Sequence, residues 1–414
     1  MNLLIESSNA NHNWGDASML HAAARRLIKQ FGVSGNISLL RPHPAFERTY
    51  DHAQITSINP EERAAWIHQR PVWYRLDRHV PGVVDYATTT WPEVTDGITR
   101  AKMKMLSRDT EAHAAFLQRF ESADALVVSG GGFITDLFDS AEQALNLVLL
   151  AHSRNIPVFM FGQGIGPIHS TRLFNKARRA LPQAQHIAVR EKRKSKPLLQ
   201  RLGVPQDRIL VTGDDAIELA YEERPDSIGS AIGVNLRLAF YSEVSDKVAE
   251  IVGHVVGDVA EAHTADLVPI PIAYTGHGSD VETISRIMTI AGQDSDGGAS
   301  LNSPEDVARA AGQCRVVVTG SYHGGVFALS QGVPVVALSQ SEYYDNKFHG
   351  LADMFGTGCT VLRTDASDFK KRLSESILET YDRAPNERGL LLDAAQEQID
   401  ASRTAYERMV DMIA

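Results

Sequence analysis

Cysteine is nearly absent. In 414 residues only Cys314 and Cys359 are cysteines, and neither belongs to a CxxC pair. That rules out zinc and redox motifs built on closely paired thiols. A disulfide between the two is geometrically open, but two reduced thiols are the expected state. An excess of basic residues is also missing. Lys and Arg number 41 against 51 Asp and Glu, a formal net charge of -10. A general nucleic-acid binder, which needs a cationic face, is therefore not expected, although a local basic pocket is. No apolar run approaches the ~18 residues of a membrane-spanning helix. The opening stretch MNLLIESSNANHNWGD lacks a basic start and a long apolar centre, so it does not read as a secretory leader. A cytoplasmic location is the expectation. Short-period repeats and low-complexity tracts are absent as well.

What is present is a recurring alternation. Short β-branched apolar runs, each followed by a glycine or polar turn and an amphipathic segment, begin with MNLLIES and continue through ALVVSGGG, IPVFMFGQGIG, HIAVRE, RILVTGDD, AIGVNLR, DLVPIPI, CRVVVTGS and VPVVALS. Continuous apolar runs suit strands buried on both faces, as in parallel sheets, and the alternation predicts a doubly wound α/β fold. The length suits two domains of ~150–220 residues. The charged, Pro- and Gly-containing stretch YEERPDSIGSA, followed by a fresh strand signal, places the boundary near 221–231. The expected units are 1–222, 231–389 and a terminal helix over 390–414 that packs back on the first unit. Residues 41–120 differ: rich in His, Arg, Pro and aromatics, poor in strand signals, and holding Trp66, Trp73 and Trp91. They read as an insertion in the first domain, serving as a lid, a dimer surface or plain structure.

Candidate chemistry sits at the ends of the predicted strands, where open α/β sheets bind ligands. Asn13, Gly15 and Asp16 form a strand-to-helix turn, either an anion site or an ordinary capped start with Asp16 or Ser18 as cap. Gly130, Gly131 and Gly132 end a buried strand, but no GK[ST] follows and no GxGxxG is formed, so neither a phosphate-binding P-loop nor a dinucleotide fingerprint is present. The segment FGQGIGP offers Gln163 to a hydroxyl or amide; its alternative is a tight connection. Arg190 follows HIAV directly and faces the expected cleft, while Lys192, Arg193, Lys194 and Lys196 read as a solvated helix face. Asp214 and Asp215 follow another strand, as helix caps or site acids, without the companions a metal would require. Arg237 ends the first strand of the second unit. Ser321, Tyr322 and His323 open a later helix, and Lys347 lies among aromatics.

Together these stretches resemble the polysaccharide pyruvyl transferase family. The family's NxGD turn appears as Asn13-Gly15-Asp16, its GGG strand end as Gly130 to Gly132, and its GQGxGP segment as Gly162 to Pro167. Val189-Arg190-Glu191 with Ser195 follows, then an acid at Asp214 or Asp215, and His323, Ala328, Gly332-Val333-Pro334, Lys347 and Gly350-Leu351. The ordered series runs from about residue 2 to residue 360 and leaves out 41–120. The resemblance implies two Rossmann-like domains facing across a cleft, similar to GT-B glycosyltransferases. It implies phosphoenolpyruvate as donor substrate with no separate cofactor, and a sugar, nucleotide sugar or lipid-linked glycan as acceptor. His323 is the implied catalytic residue; a homodimer is a reasonable expectation. One position departs: the family pattern has an arginine two residues before the histidine, and here Ser321 stands there. Charge for a donor anion must then come from Arg190, Arg237 and Lys347. A glycosyltransferase using a nucleotide sugar and a non-catalytic sugar-binding relative are the alternative readings.

Overall fold

The computed structural model describes residues 1–7, 13–31, 36–41, 55–68, 73, 76, 79–80, 82–237, 245–274 and 279–413. Two parallel sheets organise them. In the first half the strands are β1 (Asn2–Glu6), β2 (Asn36–Leu39), β3 (Ile55–Ser57), β4 (Ala125–Val128), β5 (Gly131–Ile134), β6 (Val158–Ile165), β7 (His186–Val189) and β8 (Ile209–Val211). Their order is β3-β2-β1-β4-β6-β7-β8, with β5 paired to β6 off the main path. The second half orders β10 (Leu267–Pro269), β9 (Ala231–Asn235), β11 (Cys314–Thr319), β12 (Val335–Ser339) and β13 (Cys359–Arg363) as β10-β9-β11-β12-β13. Every residue of β4, β6, β7 and β9 is buried. Continuous Val, Ile, Leu and Phe runs are what a strand covered by helices on both faces requires.

Local chemistry sets the helix starts. Asp109 accepts hydrogen bonds from the N–H groups of Glu111 and Ala112 at the head of Thr110–Glu121. Ser303 accepts from Asp306 N–H ahead of Pro304–Gly312, whose first residue is proline. Among the described residues, the insertion carries helices Pro60–His68, Val83–Thr90, Pro92–Met105 and Thr110–Glu121. It is fastened to the first sheet by Arg63, which reaches the carboxylate of Glu6 at 2.7 Å. Burial opposes ionisation of Glu6, but Arg63 and Arg41 hold its carboxyl below the usual range. Cys314 and Cys359 are free thiols. No described helix is long and apolar enough to cross a membrane.

The last helix runs Phe369–Ile413, beginning well before residue 390. Pro385 and Gly389 mark a break in the sequence, yet the helix passes through them. Arg388 anchors that turn, donating to the carbonyls of Gln331 and Pro225. Farther along, Tyr406 stacks on Phe161 with centroids 3.7 Å apart. The Tyr406 hydroxyl and Ser402 Oγ donate to Asp215 at 2.9 and 2.6 Å. The helix thus packs on the second sheet at its start and on the first half at its end. One apolar cluster joins the halves, containing Ile5, Met19 and Phe161 together with Phe327, Leu351 and Tyr406. The architecture is two Rossmann-like halves facing across a cleft, the GT-B arrangement that the family resemblance implies.

Candidate functional site

The carboxyl ends of both sheets converge. β1 leads into the turn at Asn13, whose Oδ1 accepts from Gly15 N–H at 2.9 Å and Asp16 N–H at 3.2 Å. This turn docks on the second half: Trp14 N–H donates to Ile272 O at 2.9 Å, and the Trp14 ring stacks on Tyr274 at 3.8 Å. Gly15 meets His323 directly. A Cβ at residue 15 would lie 2.0 Å from the imidazole Cγ and 2.1 Å from Nδ1. The glycine of the NxGD turn is required by space, because the imidazole of the opposite half lies against its backbone.

Arg190 and Lys347 approach from opposite halves and meet over Gly132. A Cβ there would sit 2.5 Å from an Arg190 amino nitrogen and 3.0 Å from Lys347 Nζ. Gly164 flanks the same guanidinium, with Arg190 Nε 2.6 Å from where its Cβ would be. The guanidinium stacks 4.1 Å above the Tyr322 ring and bonds Asp214 Oδ2 at 3.3 Å. Its other amino group is buried and has no hydrogen-bond partner among the described residues. Lys347 Nζ lies 3.9 Å from the Tyr343 centroid, with Tyr322 and Tyr344 farther out. Tyr343 in turn donates to Gly132 O at 2.8 Å, a bond across the halves.

His323 Nε2 stands 3.6 Å from Asp214 Oδ2, within ion-pair but not hydrogen-bond distance. Two carboxylates flank the imidazole with opposite tendencies. Burial raises the carboxyl of Asp16 above its usual value. Burial acts the same way on Asp214, but His323 and Arg190 overcome it and hold that carboxyl low. Burial, reinforced by Arg190 and Arg237, pushes the Lys347 ammonium well below its ordinary range. An anion set among these cations would reverse that effect. Arg237 is fixed from behind, with Nε on Asp280 Oδ1 at 2.8 Å. Its strand end adjoins the turn holding Ser321, since Gly320 N–H donates to Asn235 O at 3.0 Å. The backbone of Arg237, just past that strand, therefore runs beside this turn, its N 3.7 Å from where a Gly320 Cβ would be.

The structure gathers His323, Arg190, Arg237, Lys347, Asp16, Asp214 and Tyr322 within electrostatic reach of one another; of the three glycines Gly132 lies against Arg190 and Lys347, while Gly130 packs on Met19 and the Gly162 carbonyl. Asn13, Gln163 and Ser321 act on the backbone around these groups. Gln163 Nε2 donates to the carbonyls of Val128, Ser129 and Phe161 and stays inside the sheet end. Ser321 is buried at the start of Tyr322–Ser330, its N–H held by Thr319 Oγ1 at 3.0 Å. Glu191 caps the helix Ser195–Arg201 through the N–H groups of Lys194 and Ser195. Lys192, Arg193 and Lys194 are exposed. Among the described residues no group of three His, Cys, Asp or Glu is placed to hold a metal.

Sequence reasoning missed Asp280 and Tyr343. Asp280 is fully buried and accepts from Arg237, Asn235, and the N–H groups of Ile272 and Ala273. In sequence it is one more acid in the first turn of a helix, and nothing local signals its reach. Tyr343 was visible only as an aromatic near Lys347.

A cleft of about 340 Å³ opens on this neighbourhood, with Gly132, Gly164 and Arg190 on one side and Tyr322, Tyr343 and Lys347 on the other. With that geometry in place the comparisons are direct. The sequence profile of the polysaccharide pyruvyl transferase family matches residues 13–342. The chain belongs to this family, and it is a transferase. No curated protein is similar enough to match. Solved structures agree in fold across nearly full lengths. A Listeria monocytogenes protein described as a UDP-N-acetylglucosamine 2-epimerase has TM-score 0.59 at 12% identity, covering 100% of this chain and 95% of its own. UDP-GlcNAc 2-epimerase from Neisseria meningitidis, bound to UDP-GlcNAc, has TM-score 0.56 at 12% identity and coverages of 99% and 100%. A glycosyltransferase from Rickettsia africae has TM-score 0.53 at 9% identity and coverages of 100% and 98%. At such identities the likeness concerns the GT-B fold alone.

Proposed function

We propose that this pyruvyl transferase family member moves the enolpyruvyl group of phosphoenolpyruvate onto two hydroxyls of a sugar or glycan precursor, closing a pyruvate ketal. The observation behind this reading is the buried Arg190 amino group without a partner, set beside Lys347 over Gly132 and next to the His323–Asp214 pair. Phosphoenolpyruvate carries about three negative charges near neutral pH and calls for at least two cations. Arg190 and Arg237 hold its carboxylate and phosphate. Lys347 follows the departing phosphate, taking up a proton as the anion compensates its neighbours.

The reaction balances without a further reactant. A proton reaches C3 of the enol from His323, turning the methylene into a methyl group and leaving an oxocarbenium-like C2. One acceptor hydroxyl forms a C–O bond at C2 and gives up its proton, which restores the imidazole. The bond from C2 to the phosphate oxygen then breaks. A second hydroxyl closes the ketal, and its proton leaves with the phosphate. Asp214 orients the imidazole, and Asp16, whose carboxyl favours its proton, faces the same ring.

A glycosyltransferase using a nucleotide sugar is the second reading, supported by the fold shared with a protein bound to UDP-GlcNAc. Phosphate release from phosphoenolpyruvate, measured across sugars, nucleotide sugars and lipid-linked sugars, separates the two. The proposal expects acceptor-dependent release that His323→Ala abolishes. Unchanged turnover in His323→Ala removes the imidazole from the chemistry. Stabilisation against heat by UDP and not by phosphoenolpyruvate favours the second reading. Acceptor binding with no phosphate release under any condition indicates a non-catalytic relative.

A further inference from the structure

A second cavity, of about 390 Å³, lies in the first half between the insertion and the helix Ser140–Ser153. Its volume falls within the ~300–1,000 Å³ of small-molecule sites. Trp66 and Trp73 line it, and so do Gln143 and Asn146, three residues apart on one face of that helix.

The cations that line it are already matched. Lys176 is buried and bonds Asp85 at 2.8 Å. Arg154 pairs with Asp96, and Arg172 with Glu142 at 3.1 Å. A phosphate or carboxylate entering here meets cations that carboxylates already engage. A hydrocarbon chain would strip water from several charged groups, which is costly. The amides have a different character. Asn146 Oδ1 accepts from Lys176 at 2.7 Å and Gln143 Oε1 accepts from Arg41 at 3.0 Å. With both oxygens taken by cations, each amide offers its NH₂ group as donor. Asp139, exposed at the rim, supplies an acceptor. Trp66 stacks on Phe116 and Lys102 Nζ lies 4.6 Å over the Trp73 ring, so each indole has at most one face left for a ligand; the indole surface that lines the cavity, combined with neutral donors and an acceptor, suits a ligand that has apolar C–H faces and equatorial hydroxyls.

The cavity also adjoins the cleft. Asp139 lines the cavity, and its neighbour Phe138 packs edge-on against Tyr343 of the cleft at 6.1 Å. Arg172 lines the cavity and His169, three residues earlier, lines the cleft. His169 and Arg172 flank the start of the helix Thr171–Ala180, so their backbones are at most about 11 Å apart.

We propose that this cavity binds an uncharged sugar ring of a glycan chain whose reacting end lies in the cleft, so that the protein acts on an oligosaccharide rather than a free monosaccharide. The proposal rests on the glycan-acceptor reading for the identity of the chain, but its test does not need turnover. Calorimetric titration of the whole protein with glucose, galactose and mannose, and with their linear di- and trisaccharides, measures it. For at least one series the trisaccharide is expected to bind about tenfold or more tighter than its monosaccharide, about 1.4 kcal/mol. Trp73→Ala removes that advantage, and so does the half-buried Gln143→Ala, which keeps the test open if the tryptophan variant folds poorly. His323→Ala keeps it. Equal affinity for monomers and trimers overturns the proposal, as does an advantage that survives Gln143→Ala in folded protein. If phosphoenolpyruvate proves not to be the donor while the length advantage behaves as described, the cavity assignment stands and the donor assignment falls.

Discussion

Gly132→Ala tests the geometry most cleanly, because it separates function from folding. The added Cβ would lie 2.5 Å from an Arg190 nitrogen, 2.9 Å from Lys347 Cε and 3.0 Å from Lys347 Nζ. Ordinary contact begins near 3.4 Å, so the guanidinium must retreat by about 1 Å, and a misplacement of that size costs about 10²-fold in rate. The atoms displaced are the far ends of two flexible side chains. The backbone at 132 does not need a left-handed conformation, so alanine fits the strand. Replacing glycine at a compatible position stabilises by about 0.4–1 kcal/mol through the unfolded chain, which offsets the local crowding. The expected outcome is a melting temperature within a few degrees of the parent and a kcat/KM for phosphate release lowered about 10²-fold. Full activity in Gly132→Ala would mean that Arg190 and Lys347 do not act together at that wall. A collapsed melting temperature would mean that the close approach serves packing instead.

Three further outcomes follow from other parts of the molecule. Asp280→Ala removes the buried carboxylate that Arg237, Asn235 and the N–H groups of Ile272 and Ala273 share, a loss of about 3–5 kcal/mol that lowers the thermal transition by several degrees; a shift under 2 °C by calorimetry contradicts this. His186 is fully buried, packs edge-on against Phe159 and Phe161, and burial with nearby Arg408 lowers its pKa to about 4. The unfolded chain therefore binds that proton better between about pH 4 and 6.5, and stability falls as pH drops through this window, by up to about 3 kcal/mol. His186→Phe flattens the dependence, and identical urea midpoints against pH in both proteins would refute it. Tyr406→Phe removes a hydrogen bond to buried Asp215 and lowers stability by about 1.5–3 kcal/mol, read from denaturant midpoints at unchanged m.

Much of the fold was legible because its central strands are continuous apolar runs, and their glycine-rich ends announced where ligands bind. β2, β3 and β13 escaped notice. They are short or only partly buried, so NISL, ITS and CTVLR do not form fully apolar runs. The start of the last helix was misplaced because Pro385 and Gly389 look like breakers, while the bonds of Arg388 that hold that turn come from residues far away in sequence. In the site, Arg190, Arg237, Lys347 and His323 were found from their places at strand ends or in motifs. Asp280 was not, because its function depends on a reach between elements that no local pattern encodes. Gly15 was seen as a turn residue; only the structure shows that an imidazole from the other half needs its missing side chain.

The central claim is that guanidinium and ammonium groups from both halves surround one imidazole to seat a small trianion. Calorimetric binding of phosphoenolpyruvate to the wild type, Arg190→Gln, Arg237→Gln and Lys347→Met tests it most directly. The account predicts that the parent binds phosphoenolpyruvate in preference to UDP, and that each substitution weakens it by about tenfold or more, about 1.4 kcal/mol. Unaltered affinity in all three variants, or binding of UDP with none of phosphoenolpyruvate, would contradict it.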